Sequence, residues 1–246
     1  MKKIIKILFF ILLIGILLIS SYFIYMNLKE DKKQEDIYKE ILEIAENKEE
    51  IEKDNLQIKQ LEINIEELYQ INSDIIGWLK IDGTNINYPV MQTKDNPEYY
   101  LRKDFYKKYS YWGTPFLAEN CDINTSDNLI IYGHHINNSK MFGELENYKK
   151  EQYYNNHKKI KFYTINDKRE YEIIAVFKTT IYEFKYYNYT NINNEKEFNT
   201  FIDKCFELSF YNTNNKVIYG EKLITLSTCE YSKENGRLVI VAKETD

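Results

Sequence analysis

The chain has 246 residues, of which 38 are Asp or Glu and 33 are Lys or Arg, so its formal net charge is −5. It has no excess of basic residues of the kind that attracts phosphate backbones, and we predict no nucleic-acid partner. Aromatic residues make up 15% of the chain, while Gly and Pro number only 8 and 3. This composition excludes collagen-like, linker-like and disordered chains, and it predicts a packed core.

The N-terminus has the pattern of a membrane anchor. Three lysines precede an uncharged run from Ile7 to Met26, which as a helix would be about 30 Å long, close to the thickness of a bilayer core. No small-residue cleavage site follows it, so we interpret residues 1–28 as a retained signal anchor with residues 4–26 in the membrane; a cleaved signal peptide is the alternative. The lysines predict a cytoplasmic N-terminus and a single-pass protein of the cell membrane, with the rest of the chain extracellular.

Residues 29–70 contain no Gly and no Pro, and their apolar residues recur mostly at intervals of three, four or seven. This spacing predicts amphipathic helices. The segment holds seven Lys and fourteen Asp or Glu, so the net negative charge of the protein comes mainly from it. We predict an acidic helical stalk, either a solvated spacer or a docking face for another helix.

Residues 71–246 have the length of one domain, and they contain short β-type runs separated by turn residues. Such runs suggest a barrel or a sandwich. A helix is predicted from about Asn194 to Leu208, with an apolar face toward the core. The predicted strands are Trp78–Ile81, Ile86–Met91, Leu129–Tyr132, Lys159–Thr164, Tyr171–Phe177, Leu223–Ser227 and Leu238–Ala242.

Three cysteines in an exported domain cannot all form disulfides within one chain. Cys205 lies on the apolar face of the predicted helix, where a free Cys behaves as a small hydrophobic residue. Cys121 follows polar residues in a predicted loop and is either incidental or bridged to Cys205. Cys229 ends a buried-strand pattern, and Arg237 begins the returning strand eight residues later. A cation there would stabilise a thiolate and the oxyanion of an acyl-transfer reaction; a purely structural Cys229 is the alternative.

His134 follows an apolar strand that ends at Gly133. A histidine just past a strand end can face the same rim as Cys229, where it would act as the general acid and base that cysteine acyl transfer needs. His135 is adjacent, but neighbouring side chains on extended backbone point apart. Because no metal-binding spacing is present either, we predict no metal site and no cofactor.

Several segments together resemble the sortases of Gram-positive bacteria, and class B in particular. The specific motifs are Tyr132-Gly133-His134, Thr225-Leu226-Ser227-Thr228-Cys229 and the downstream Arg237. The class B features are residues 74–90, Tyr99-Tyr100-Leu101, Asp104-Phe105, Met141-Phe142 and the helix before the last two strands. The resemblance implies a mainly β fold: a closed, mainly antiparallel eight-stranded barrel with N-terminal helices and one helix inserted before the last two strands.

The resemblance also implies an activity, that of a membrane-anchored cysteine transpeptidase. Cys229 would attack the Thr carbonyl of a C-terminal sorting signal, His134 would be the general acid and base, and Arg237 would stabilise the oxyanion. Ser227 and Thr228 would line the substrate groove.

Glu230 follows the nucleophile in sequence. We treat it as a candidate substrate-binding residue that orients the histidine or the substrate, with an exposed turn carboxylate as the alternative.

The partners implied are surface proteins bearing an NPQTN-like or (S/P)PxTG-like signal and a peptidoglycan or lipid II amine that accepts them. Two other functions remain open from the residues alone: a non-catalytic anchored peptide-binding module and a Cys/His peptidoglycan hydrolase. The aromatic segment 179–208 is predicted to shield the groove from water.

Overall fold

The computed structural model describes residues 2–46 and 63–245 and divides the chain into two compact units, with the boundary between Ile41 and Leu42. Helix α1 (Lys2–Ala45) makes up the first unit and continues into the second. The mean hydropathy of its apolar stretch reaches 2.8, and those side chains are exposed. An exposed apolar helix of this length is compatible with a single-pass membrane anchor. The part of the predicted stalk between residues 47 and 62 lies outside the described residues.

The second unit is a closed β-barrel of eight strands. The strands of this unit are β1 (Ile75–Lys80), β2 (Asn87–Met91), β3 (Phe116–Leu117), β4 (Asn128–Tyr132), β5 (His135–Ile136), β6 (Lys140–Met141), β7 (Lys159–Tyr163), β8 (Lys168–Thr180), β9 (Leu223–Glu230) and β10 (Gly236–Thr245). The order in the barrel is β1, β2, β3, β4, β9, β10, β8 and β7, with β7 pairing again with β1. Two pairs, β2 with β3 and β4 with β9, are parallel, and the other pairs are antiparallel. Strands β5 and β6 form a separate small hairpin.

Some strands of the barrel are buried on both faces. In β9, for example, every residue from Leu223 to Thr228 is buried. A strand that is buried on both faces has a continuous apolar run rather than an alternating one, which explains the Leu-Ile-Thr-Leu pattern at its start. Since β9 pairs with β4 on one side and β10 on the other, it is held by hydrogen bonds along both edges.

Among the residues that the structure describes, the second unit also contains the helices α2 (Glu66–Ile71), α3 (Glu151–Asn156) and α4 (Glu195–Leu208), together with 3-10 turns. Helix α4 begins after Asn194, whose side-chain oxygen accepts a hydrogen bond from the Glu197 N–H. It packs against β8 through a buried apolar face that consists of Phe198, Phe201, Ile202 and Cys205.

The fold implied by the resemblance is confirmed, including the N-terminal helices and the helix before the last two strands. All seven predicted strands are present, and the two-residue β3 completes the eight. The cysteine bridge considered between Cys121 and Cys205 is wrong, because both thiols are free. Cys121 lies in a loop, as predicted, but its side chain packs against β4 and is only 1% exposed.

Candidate active site

The parallel pairing of β4 and β9 brings His134 and Cys229 to the same edge of the barrel. Both strands run in one direction, and Tyr132 at the end of β4 is level with Ser227. His134 lies two residues after Tyr132, and Cys229 lies two residues after Ser227. The C-terminal ends of parallel strands lie at the same edge of a sheet. His134 and Cys229, which are 95 positions apart in the chain, therefore lie at one edge of the barrel.

The antiparallel pairing of β9 and β10 brings Arg237 to the same place. Arg237 lies directly opposite Cys229 in the register, and residues opposite each other in an antiparallel pair point to the same face with their Cβ atoms about 5 Å apart. One guanidinium nitrogen, Nη1, donates to the carbonyl oxygen of Gly236 at 2.9 Å. The register thus places Arg237 and Cys229 side by side on neighbouring strands.

His134 is oriented by a main-chain group. Its Nε2 lies 2.8 Å from the carbonyl oxygen of Leu101, which belongs to the 3-10 turn Tyr99–Arg102. A carbonyl only accepts hydrogen bonds, so Nε2 carries a proton and Nδ1 is the nitrogen that can take up another. Burial, together with the positive charge of Arg102, lowers the pKa of His134, while the Leu101 hydrogen bond opposes this effect.

The glycine before His134 is required by a close approach. A Cβ on Gly133 would lie 2.5 Å from the Phe142 ring, much closer than two carbon atoms can approach. Phe142 is fully buried, and the Phe142 N–H donates to the His134 carbonyl at 2.9 Å. The ring therefore fixes the path of the chain that presents the histidine.

The three residues open onto a single cavity of about 570 Å³. Its walls come from segments 97–101, 116–120 and 181–188, the ends of β4 and β9, and the start of β10. Ser227 and Thr228 also line it. Pockets of this size accommodate peptides or drug-sized molecules.

Both of these hydroxyl groups are already engaged. The Ser227 Oγ lies 2.6 Å from the Tyr186 Oη, and the Thr228 Oγ1 donates to the Gly133 carbonyl at 2.8 Å. Tyr186 is buried and comes from the 3-10 turn Tyr186–Asn188 after β8. The aromatic segment that follows β8 is therefore bonded directly to the floor of the cavity.

Glu230 does not line this cavity. It is the last residue of β9 and only 5% exposed, so the alternative of an exposed turn carboxylate is wrong. Its carboxylate accepts hydrogen bonds from the Lys149 Nζ at 3.0 Å and from the Ser232 Oγ at 2.6 Å. Burial raises the pKa of Glu230, but the hydrogen bonds from Ser232 and Lys149 outweigh burial and lower it to about 2.

The other two thiols lie in apolar surroundings. Burial raises the pKa of Cys121 to about 11 and raises that of Cys205 well above its ordinary value. Cys229 is partly exposed and lines the cavity. A nucleophilic cysteine has to reach its substrate, so Cys229 alone among the three has the exposure that this role needs.

Sequence reasoning missed several residues of the site. It did not identify Tyr132, Phe116 or Tyr186 as cavity walls, or the Leu101 carbonyl as the partner of His134. The one available signal was position, because Tyr132 precedes the Gly133-His134 pair. Among residues 2–46 and 63–245, no cluster of three or more His, Cys, Asp or Glu side chains has a metal-binding arrangement.

The chain is similar to known proteins in both sequence and fold. The sortase domain family profile matches residues 79–245. Sortase B of Staphylococcus aureus is 34% identical over 241 residues, which cover 95% of this chain and 93% of that protein. Sortase B of Bacillus anthracis, solved in complex with AAEK1, superposes with a TM-score of 0.75 at 30% identity over 89% of this chain and 99% of that one. A complex of the S. aureus sortase B with substrate gives a TM-score of 0.68 at 36% identity and covers 74% and 84% of the two chains.

Proposed function

This chain belongs to the class B branch of the sortases, a family of cysteine transpeptidases, and we propose that it cleaves a C-terminal sorting signal after Thr and transfers the protein to a cell-wall amine. The observation that carries this proposal is that Cys229, His134 and Arg237 line one cavity of peptide size. Supporting it, the S. aureus relative has been solved in complex with substrate.

In the first step, the Cys229 thiol gives its proton to His134 while its sulfur attacks the Thr carbonyl and forms a tetrahedral oxyanion. Arg237, held opposite Cys229 by the strand register, supplies the positive charge that stabilises it. His134 then donates a proton to the nitrogen of the scissile amide, the C–N bond breaks, and the C-terminal fragment leaves as an amine. The product is a thioester between Thr and Cys229.

In the second step, an amine of peptidoglycan or lipid II attacks the thioester. His134, now neutral, accepts the proton of that amine and passes it to the departing sulfur, so that a new amide forms and the Cys229 thiol is released. The thioester has to survive until the amine arrives. Residues 181–188 form one wall of the cavity, and we propose that this aromatic segment limits the access of water.

The N-terminal helix supports a topology for the whole protein. The lysines before the apolar run favour a cytoplasmic N-terminus, so the catalytic barrel would be extracellular, where surface proteins and wall precursors meet. Residues 4–26 would cross the membrane, and sorting signals of the NPQTN-like or (S/P)PxTG-like type are the substrates we propose.

The test is to trap the acyl-enzyme. The full-length protein in detergent micelles is incubated with a panel of sorting-signal peptides, and mass spectrometry measures the mass added to the protein. A matching peptide should leave its N-terminal part, up to Thr, on the parent and on Cys121→Ser, which keeps a hydrogen-bonding group at a buried position. Cys229→Ala should carry no adduct.

The same experiment separates the alternatives. A Cys229→Ala variant that still cleaves the peptide would refute the assignment of the nucleophile. Binding of the peptide without any adduct on the parent would favour an anchored binding module. Equal product release with and without an added triglycine amine would favour a hydrolase.

A further inference from the structure

His135 is not among the residues that line the cavity, and its ring contacts the main chain of Cys229. Its Nδ1 lies 3.0 Å from the main-chain carbonyl oxygen of Cys229, whereas the ring of the preceding His134 binds the carbonyl of Leu101. The His135 side chain is only 14% exposed. Because a carbonyl oxygen is an acceptor, Nδ1 must carry a proton and donate it.

This hydrogen bond is one of three that join residues 133–135 to residues 227–229. The Gly133 N–H donates to the Ser227 carbonyl at 3.1 Å, the Thr228 Oγ1 donates to the Gly133 carbonyl at 2.8 Å, and the His135 Nδ1 donates to the Cys229 carbonyl at 3.0 Å. The first two hydrogen bonds lie before the proposed acid and base in the chain, and the third lies after it. Only the third is made at the nucleophile itself.

The surroundings of the His135 ring hold it in this orientation. The ring of Tyr231 packs edge-on against it, with the centroids 5.2 Å apart. A carboxylate oxygen of Glu146 lies 3.9 Å from the same Nδ1. Lys149 forms ion pairs with Glu146 at 2.7 Å and with Glu230 at 3.0 Å. These ion pairs connect the surroundings of His135 to the end of β9, one residue after Cys229.

We propose that His135 is a positioning residue: its Nδ1–H fixes the Cys229 main chain relative to the segment that carries His134, and so sets the alignment of thiol and imidazole. The inference rests on the proposed function for its catalytic consequence. A catalytic pair tolerates little displacement, since a shift of about 1 Å can lower a rate by about 100-fold.

The test uses two substitutions of nearly equal shape. In His135→Asn, the side-chain amide nitrogen takes the place of Nδ1 and can still donate to the Cys229 carbonyl. In His135→Leu, a methyl group takes that place and the carbonyl loses its partner. With the full-length protein in micelles and a reactive sorting peptide, we expect the single-turnover acylation rate to fall roughly 10- to 100-fold for Leu and only a few-fold for Asn.

A second readout needs no peptide. The NMR signals of the Cys229 carbonyl carbon and the His134 ring should move in the Leu variant and remain close to the parent in the Asn variant. If the Leu variant does not fold, His135→Gln replaces it, because its amide extends one carbon beyond the position of Nδ1.

The outcomes separate the two proposals. If the parent forms no acyl-enzyme with any peptide, the proposed function fails, and the NMR comparison still decides the positioning role. If the parent is acylated but the Asn variant falls as far as the Leu variant, or neither falls, His135 does not act through its donor and the inference is overturned.

Discussion

Replacing Glu230 by Gln is expected to destabilise the folded barrel at neutral pH by about 3 kcal/mol. The carboxylate is 6% exposed, and its donors are the Lys149 ammonium at 3.0 Å and the Ser232 N–H and hydroxyl at 3.0 and 2.6 Å. These contacts lower the pKa of Glu230 from its ordinary 4.5 to about 2. At about 1.4 kcal/mol for each pKa unit, this lowering corresponds to about 3 kcal/mol in favour of the folded, ionised state.

The sign of the pH dependence follows from the direction of the pKa. Because the folded state binds the Glu230 proton less tightly than the unfolded state does, the stabilisation is fully present above pH 4.5 and is lost as the pH falls toward about 2. Gln resembles the protonated carboxyl group and does not titrate. The difference in free energy of unfolding between the parent and Glu230→Gln should therefore be largest near pH 7 and shrink through this range.

The assay is urea denaturation of the full-length protein in micelles, followed by near-UV circular dichroism between pH 3 and pH 7. Glu207→Gln is the matched control, since Glu207 pairs with Lys204 at 2.8 Å but its side chain is 66% exposed; it should change stability by less than about 1 kcal/mol. A Glu230→Gln variant as stable as the parent at pH 7, or a difference that does not vary with pH, would refute the reasoning.

Three further predictions concern His134, Gly133 and the start of helix α4. Arg102→Gln should raise the pKa of His134, because it removes a positive charge that opposes protonation; an NMR titration of the ring protons measures this, and an unchanged or lower pKa contradicts it. Gly133→Ala should lower acylation by at least about 10-fold, since its methyl group would meet the Phe142 ring; parent-like acylation contradicts it. Asn194→Ala should cost about 1 kcal/mol of stability by removing the N-cap of α4, and an unchanged urea midpoint contradicts it.

The sequence predicted the strands that are buried on both faces, because continuous apolar runs identify them directly. It ended β9 at Ser227, whereas the strand continues to Glu230. Polar residues interrupt the apolar pattern there, and only the folded chain reveals the partners that satisfy them, such as the Gly133 carbonyl for Thr228 and Lys149 for Glu230. Strand β3 was missed because two residues carry no detectable period.

Of the site, the sequence identified Cys229, His134 and Arg237, which line the cavity, but not the aromatic side chains of its walls. It could not identify what holds them in position. The donor to the Cys229 carbonyl is His135, to which the sequence assigned no role beyond its position next to His134. A contact between a side chain and a distant main-chain group leaves no signature in residue type or spacing.

The partner of His134 is a peptide carbonyl rather than the carboxylate that orients histidine in Ser-His-Asp triads. Since every amino acid has a main-chain carbonyl, position 101 can change its side chain without losing the group that holds the imidazole. An alanine scan would therefore pass over this partner, and the orientation of the histidine should depend on the path of the turn at Tyr99–Arg102 instead of on any one residue type. A neutral partner also adds no full negative charge beside the ring, so it holds the imidazole without the strong rise in basicity that a carboxylate would cause.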